Sequence, residues 1–328
     1  MICQYLSTLK LYVQLLREVC AYGKRLFHYN ASVKTTQDIG KMQYSLLREN
    51  HVIEKGMSMR IPRKGFGQKK VALLLEHLRQ YAQLYKNTDA AFLIYPLSTI
   101  AQYIQYTKTS GIDIPQIEAL FKNVMSYAGI EERQLHPTAG IREITKKYIQ
   151  EQSSLSFESL LNSRHSIRYF SPETPTKDIL EYALRMAQRT PSACNRQSWH
   201  THIFFGEEAH LLLKAQGGAN GFEEEIPCAI LVTADMRAFL SYEPMQCYID
   251  GGLYAMNLIN ALHALGLGTI PLSCGFKQSK LDRMAHDFDI PQNEAMICIV
   301  GVGCLLDKFN IAESYRKDIN LTNRYHSK

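Results

Sequence analysis

The chain has 328 residues, of which 46% are hydrophobic, 10% aromatic and 21% charged, a composition that excludes wholesale disorder and provides for a sizeable core. Its formal net charge of +6 is unevenly spread: residues 1–150 hold 21 Lys and Arg against 11 Asp and Glu, and the rest is net acidic. That asymmetry fits either a basic solvated face or an anionic partner for the first half.

Leu6, Leu9, Val13, Leu16 and Cys20 recur at helical spacing, so Met1 to Lys24 should form an amphipathic helix. Lys10, Arg17 and Glu18 interrupt it, so no transmembrane segment is expected, since a span needs about 18 apolar residues in sequence. It also lacks the small-residue cleavage site of a signal peptide. Val71–Tyr85, Leu97–Tyr106 and Ile117–Ala128 each place apolar residues on one helical face, with loops at Pro62–Gly67 and Gly111–Pro115. No alternating strand pattern stands out before residue 150. The polar stretch Glu151–Ser156 predicts a linker, dividing the chain into an all-α domain of unknown role (1–152) and a second domain (153–328).

The second domain mixes elements. Lys177–Gln188 reads as a helix and His202–Phe205 as a short strand. Ala229–Thr233 and Ala295–Val302 read as buried strands. Gln246–Leu265 predicts a long helix whose small residues, among them Gly251, Gly252, Ala255 and Ala261, permit close packing. Alternation of this kind implies an α/β or α+β class with a central sheet. The eight cysteines form no C-x-x-C pair and several sit in apolar runs, so reduced thiols and a cytoplasmic setting are expected.

Two segments carry chemistry. Arg164, His165, Ser166 and Arg168 offer two forked guanidiniums and a hydroxyl, suited to a phosphate or a planar oxygen-rich ligand. About 25 residues on, Thr190–Trp199 breaks at Pro191 and presents Ser192, Asn195 and Gln197, which supply the paired donors and acceptors that a flavin or nucleobase edge requires. Trp199, the only tryptophan, reads as a core anchor. Other readings fall short. Gly301-Val302-Gly303 has Leu306 where a dinucleotide fingerprint needs its third glycine. His51 and Glu54 share a helical face, but no third metal ligand is evident, and capping or a buried ion pair suits them better. Lys69-Lys70 and Arg60–Lys64 lack the interleaved aromatics of a single-strand binder, so no nucleic-acid partner is expected.

The pair of segments resembles the nitroreductase family, in which an R-[RH]-S-x-[RK] opening is followed by P-S-x-x-N-x-Q-P-W. The resemblance continues through Leu265–Thr269, Pro271–Phe276, Ile299–Gly303 and Arg316-Lys317, covering roughly residues 157–320 in the family's order. It implies an α+β fold, with a central mixed β-sheet flanked by helices and preceded by an all-α N-terminal domain. It also implies an FMN-dependent oxidoreductase, with NAD(P)H as electron donor, that reduces a small electron-poor substrate by ping-pong hydride transfer through flavin N5. Arg164, His165, Ser166 and Arg168 would then hold the phosphate, ribityl and ring O2 region. Pro191, Ser192, Asn195 and Gln197 would line the ring, partly from the second subunit of a homodimer. Pro271, Leu272, Ser273 and Gly275 would pass its N5 side, with Cys274 beside them, and Arg316 and Lys317 would complete the phosphate site. No catalytic triad is expected, because the cofactor carries the hard chemistry. Reductive dehalogenation, flavin fragmentation, or a non-catalytic flavin-binding sensor or scaffold are the alternatives. Ser198 departs from the family by replacing the proline before the tryptophan, and Cys274 sits where the family varies most. The first half is similar to helical regions preceding some bacterial nitroreductase-like proteins, in which the H-x-x-E-K-G segment recurs.

Overall fold

The computed structural model describes residues 2–29, 39–60, 65–153, 155–239 and 243–326. Arg63 and Lys64 of the basic Arg60–Lys64 run, and most of the Pro62–Gly67 loop ahead of Gly65, lie outside the described residues. The chain divides into two compact units: a sheet unit of Met1–Phe27 and Ile144–Phe309, and a helical unit of His28–Glu143 and Asn310–Lys328. The 152/153 boundary expected above falls inside the sheet unit. The division differs because α6 (Lys146–Ser153) packs against elements that follow it, and because the last residues count with the helices.

Helix α1 (Ile2–Tyr29) opens the chain, and none of its described side chains is buried. Helices α2 (Ile39–Met57), α3 (Gln68–Asp89), α4 (Ala91–Thr109) and α5 (Pro115–Ala128) pack as a bundle. Its core gathers Leu46, Ile53, Leu74, Leu78, Leu97, Ile100, Phe121 and Val124. Pro115 opens α5 where an N–H would be orphaned anyway, and Gly129, at φ 69°, closes it. One strand was not legible in this half: β1 (Ile141–Thr145) pairs with β6 (Lys308–Ala312), a partner far away in sequence. The Glu151–Ser156 stretch is not an open linker either: α6 runs to Ser153, and Ser156 caps α7 (Phe157–Ser163) by accepting from the Ser159 N–H.

In the sheet unit, α8 (Lys177–Ala187), α9 (Gly206–Gln216), α10 (Gln246–Ala264) and α11 (Gln278–Asp287) accompany four strands, and the short α12 (Ile319–Thr322) belongs to the helical unit. Strands β2 (Trp199–Phe205), β3 (Cys228–Asp235), β5 (Glu294–Cys304) and β4 (Leu267–Ser273) lie in that spatial order and pair antiparallel. All three strand pairings are antiparallel, where a mixed sheet was expected, and the parallel contact is an isolated bridge between Ser166 and Thr269. The apolar run of β3 is buried along nearly its whole length because it is a central strand against which α9 and α10 pack. The sheet packs against α8 and α10 through Leu180, Ile230, Leu258, Leu262 and Val300. Gly251 lets α10 sit close to the sheet, since a Cβ there would meet Ile297 at 2.5 Å.

Candidate functional site

The first motif leaves α7 at its C-cap, Arg164, and runs beside the edge strand β4. The Ile167 N–H donates to the Thr269 carbonyl at 2.9 Å, and the Ser171 N–H to that of Cys304 at 2.9 Å. Glycines make this possible: a Cβ on Gly303 would strike Phe170 at 2.6 Å, and one on Gly268 would crowd Phe170 and Ile167. Gly303, from the G-x-G that falls short of a nucleotide fingerprint, and Gly268 thus form the bed on which Ile167–Phe170 lies. Arg168 is buried, while Arg164, His165 and Ser166 are half-buried.

Below the motif, the Ser163 Oγ pairs with the His263 Nε2 at 2.8 Å. Burial, and then the nearby Arg164 charge, push the His263 pKa down from its ordinary 6.5 to about 4. His263 is therefore neutral at neutral pH, and the positive charge of this corner belongs to the arginines.

The second motif is anchored on the same helix. The Thr190 hydroxyl donates to the Ala187 carbonyl at 2.7 Å and accepts from Asn257 at 2.7 Å. The Ala193 N–H donates to the buried Asp250 carboxylate at 3.1 Å, which Gln246 also holds at 2.9 Å. The α10 positions 257 and 263, which anchor the two motifs, are separated by about 9 Å along the helix axis. Between Ser192 and Gln197 the chain takes an uncommon path: Cys194, Asn195 and Gln197 have φ of 51°, 55° and 47°. For residues with a Cβ, this left-handed region costs about 1–2 kcal/mol each. Two devices hold it. The Ser192 Oγ accepts from the Gln197 N–H at 3.0 Å. Arg196 donates to the Ala193 and Ala238 carbonyls and forks onto both oxygens of Glu243 at 2.8 Å. With Arg196 turned back as a strap, Pro191, Cys194, Asn195 and Gln197 remain exposed and Ser192 half-exposed.

Sequence reading missed Arg196, Glu243 and Asp250 as functional. Arg196 lay in plain view inside the motif, but its partners lie about 50 residues on. Ser198, standing where the resembling pattern has proline, is buried with no hydrogen-bond partner for its Oγ, as suits a site shaped for an apolar ring. Trp199 stacks on Tyr254 at 4.9 Å between ring centres, the anchoring role read from the sequence.

The third segment ends β4. Pro271 is tolerated because β4 is an edge strand. Leu272 and Cys274 point inward, and Pro271, Ser273 and Gly275 are exposed. The turn is tied by the Gly275 N–H to the Ser273 Oγ (3.0 Å) and by Gln216 to the Ser273 carbonyl (2.9 Å). Burial pushes the Cys274 thiol up to about 12, so it is a packed hydrophobe, not a nucleophile. Arg316 and Lys317 lie in residues that belong to the helical unit, both exposed, with Arg316 donating to the Ser314 carbonyl at 3.0 Å. The structure thus gathers residues 163–170, 190–199 and 271–275 in one compact unit, along α10 and β4, and places Arg316 and Lys317 in the other.

In the helical unit, Glu54 is buried and accepts from the Tyr95 hydroxyl, with His51 Nδ1 at 3.5 Å. Tyr95 in turn accepts from the Tyr315 N–H at 3.0 Å and stacks on its ring. This closed arrangement is a structural anchor. Among the described residues, no cluster of three or more His, Cys, Asp or Glu could hold a metal.

Part of the chain is similar to known proteins. The Nitroreductase family matches residues 161–220 and 210–304. A protein of Archaeoglobus fulgidus named for NADH dehydrogenase/NAD(P)H nitroreductase is 27% identical over 159 residues, covering 47% of this chain and 88% of that protein. The iodotyrosine deiodinase of Danio rerio is 25% identical over 202 residues, covering 50% of this chain and 65% of that protein. A solved nitroreductase from Exiguobacterium sibiricum, in complex with FMN, is 20% identical with a TM-score of 0.47, covering 53% of this chain and 99% of that one. Residues 161–304 are thus similar to the nitroreductase family.

Proposed function

We propose that the sheet unit holds FMN and acts as an NAD(P)H-dependent oxidoreductase on a small electron-poor organic substrate. The observation that carries this reading is the strained Ser192–Gln197 loop, strapped by Arg196–Glu243 and anchored to α10 beside the arginine segment. Strain held so deliberately marks a surface built to meet a ligand.

The donor set fits the group. Arg164, Arg168 and Ser166 suit a phosphate and the electron-rich pyrimidine edge of a flavin, and no carboxylate stands within Arg164–Arg168. Neutral His263 beneath them adds no competing charge. Asn195 and Gln197 offer amide donors and acceptors to the ring, and the exposed Ser273–Gly275 turn can approach it closely because Gly275 has no side chain. When bound, FMN supplies hydride acceptance and donation at N5, in turn from the nicotinamide donor and to the substrate. The chain's part is to bind, orient and place positive charge where negative charge develops. The division of labour near residue 152 belongs to the same reading, since the family match begins at residue 161.

The outer face of α10 supports a homodimer. Ile249, Leu253 and Met256 lie exposed along one line of the helix, and nothing stands within 4 Å above Gly252. A second copy would bury this face and bring its own loop towards the first site.

Denaturing the purified protein should release about one FMN per chain, identified by chromatography and absorbance, and NADH or NADPH should bleach the bound flavin. Protein that neither carries nor takes up FMN overturns the reading. A second reading, reductive dehalogenation, is favoured by the likeness to the protein named iodotyrosine deiodinase. Halide release from a halogenated phenol, with reductant present, separates it from nitro-group reduction.

A further inference from the structure

Among the described residues, nothing covers the described side chains of helix α1 from Leu6 to Lys24. Leu9, Tyr12 and Leu16 are 58%, 65% and 51% exposed, and every described side chain from Leu6 to Lys24 is exposed with them. At 3.6 residues per turn, Leu6, Leu9, Val13, Leu16 and Cys20 form one strip. Leu11, Tyr12, Leu15 and Val19 extend it around the helix, so that the apolar arc, interrupted by Thr8, spans roughly 220°. Lys10, Arg17 and Lys24, each seven residues from the next, form a single basic row that borders this arc.

Those dimensions select the occupant. A second α1 packing as a two-stranded coil would cover only the first strip and leave the second group in water. An arc this wide, edged on one side by Lys10, Arg17 and Lys24, suits a flat apolar layer beneath an anionic surface. The helix lies in the plane, sinks its leucines and tyrosine, and lets its basic heads reach back to phosphates. No helix among the described residues is long and apolar enough to cross a membrane, so contact from one side is the geometry left open to α1. We propose that α1 docks the protein on the surface of an anionic lipid bilayer. This inference does not depend on the flavin reading.

The test is flotation of the full-length protein with lipid vesicles. Vesicles of phosphatidylcholine with phosphatidylglycerol should carry the protein, and pure phosphatidylcholine should bind at least about tenfold more weakly, because each basic residue adds to attraction by an anionic leaflet. The double variant Leu9→Glu, Leu16→Glu should abolish flotation, and Lys10→Gln, Arg17→Gln, Lys24→Gln should remove the preference for anionic lipid. Both sets of changes lie on exposed positions, so circular dichroism and flavin content should match the parent. Failure of the parent protein to float with anionic vesicles overturns the proposal, as does undiminished flotation of the leucine variant. A leucine variant that splits an oligomer, when the parent ignores vesicles, overturns it in favour of a second copy as the occupant.

Discussion

The two compact units treat their polar groups in opposite ways. In the helical unit they close on one another: Glu54 takes the Tyr95 hydroxyl, Tyr95 takes the Tyr315 N–H, and Tyr81 and Gln43 share Asp89. Apart from Tyr315, which lies in the irregular segment after β6, these groups sit on the helices α2, α3 and α4. In the sheet unit the polar residues of three separate segments line up along α10 and β4, and the loop that carries Asn195 and Gln197 is held in a costly conformation with its side chains facing out. A closed network is complete without a ligand and serves the fold. A strained loop held open by buried supports is the mark of a surface awaiting one.

The sharpest way to break this contrast is to cut one group from each unit. Arg168→Ala should weaken FMN binding roughly a hundredfold, since a hydrogen bond to a charged group is worth up to about 3 kcal/mol. Titration of apoprotein with FMN measures it, and unchanged affinity would make Arg168 a packing residue. His263 gives an effect of similar size through pH. The unfolded chain binds this proton near 6.5, while the folded chain refuses it until about 4. Stability should therefore be constant above pH 6.5 and fall as pH drops towards 4, by about 2–3 kcal/mol. Urea denaturation across that window should show a shallower fall in His263→Gln. Equal slopes in both proteins would mean that acid acts elsewhere.

In the helical unit the matching cut is Tyr95→Phe. It leaves the buried Glu54 short of a donor, and unfolding should become easier by about 2 kcal/mol. Flavin content should not change. Loss of flavin in this variant would dissolve the distinction between a closed, structural unit and an open, functional one.

How much of this was legible beforehand follows from the range of the interactions. The helices and buried strands were readable because periodicity is local: α3, α5 and β3 each extend a predicted run by a few residues, and α8 ends one residue short of its own. Strand β1 was not, because Ile141–Thr145 becomes a strand only by pairing with a segment more than 160 residues away. The candidate residues at 164–168, 191–197 and 271–275 were visible as motifs. Their supports, Asp250, Asn257 and Glu243, look like ordinary helix and loop residues until the fold brings them beneath the motifs. The assignment of Arg316 and Lys317 to the helical unit rests on contacts that no local pattern encodes.

The smallest effect tests the strain itself. Cys194 has φ 51°, where glycine carries no Cβ penalty, so Cys194→Gly should relieve about 1–2 kcal/mol in the folded state. Glycine also loses more conformational freedom on folding, a cost of about 0.5–1 kcal/mol. The net gain should therefore be small, about 0.5 kcal/mol, read as a slight rise in the urea midpoint with an unchanged slope. The same substitution loosens the turn between Ala193 and Asn195, so flavin should dissociate a few times faster even as the protein becomes a little more stable. Gain in stability with loss in retention is what a loop strained for binding must show. If Cys194→Gly is instead destabilising and leaves flavin release untouched, the left-handed backbone there is merely a tight corner, and the Arg196–Glu243 strap holds the fold together and not the ligand.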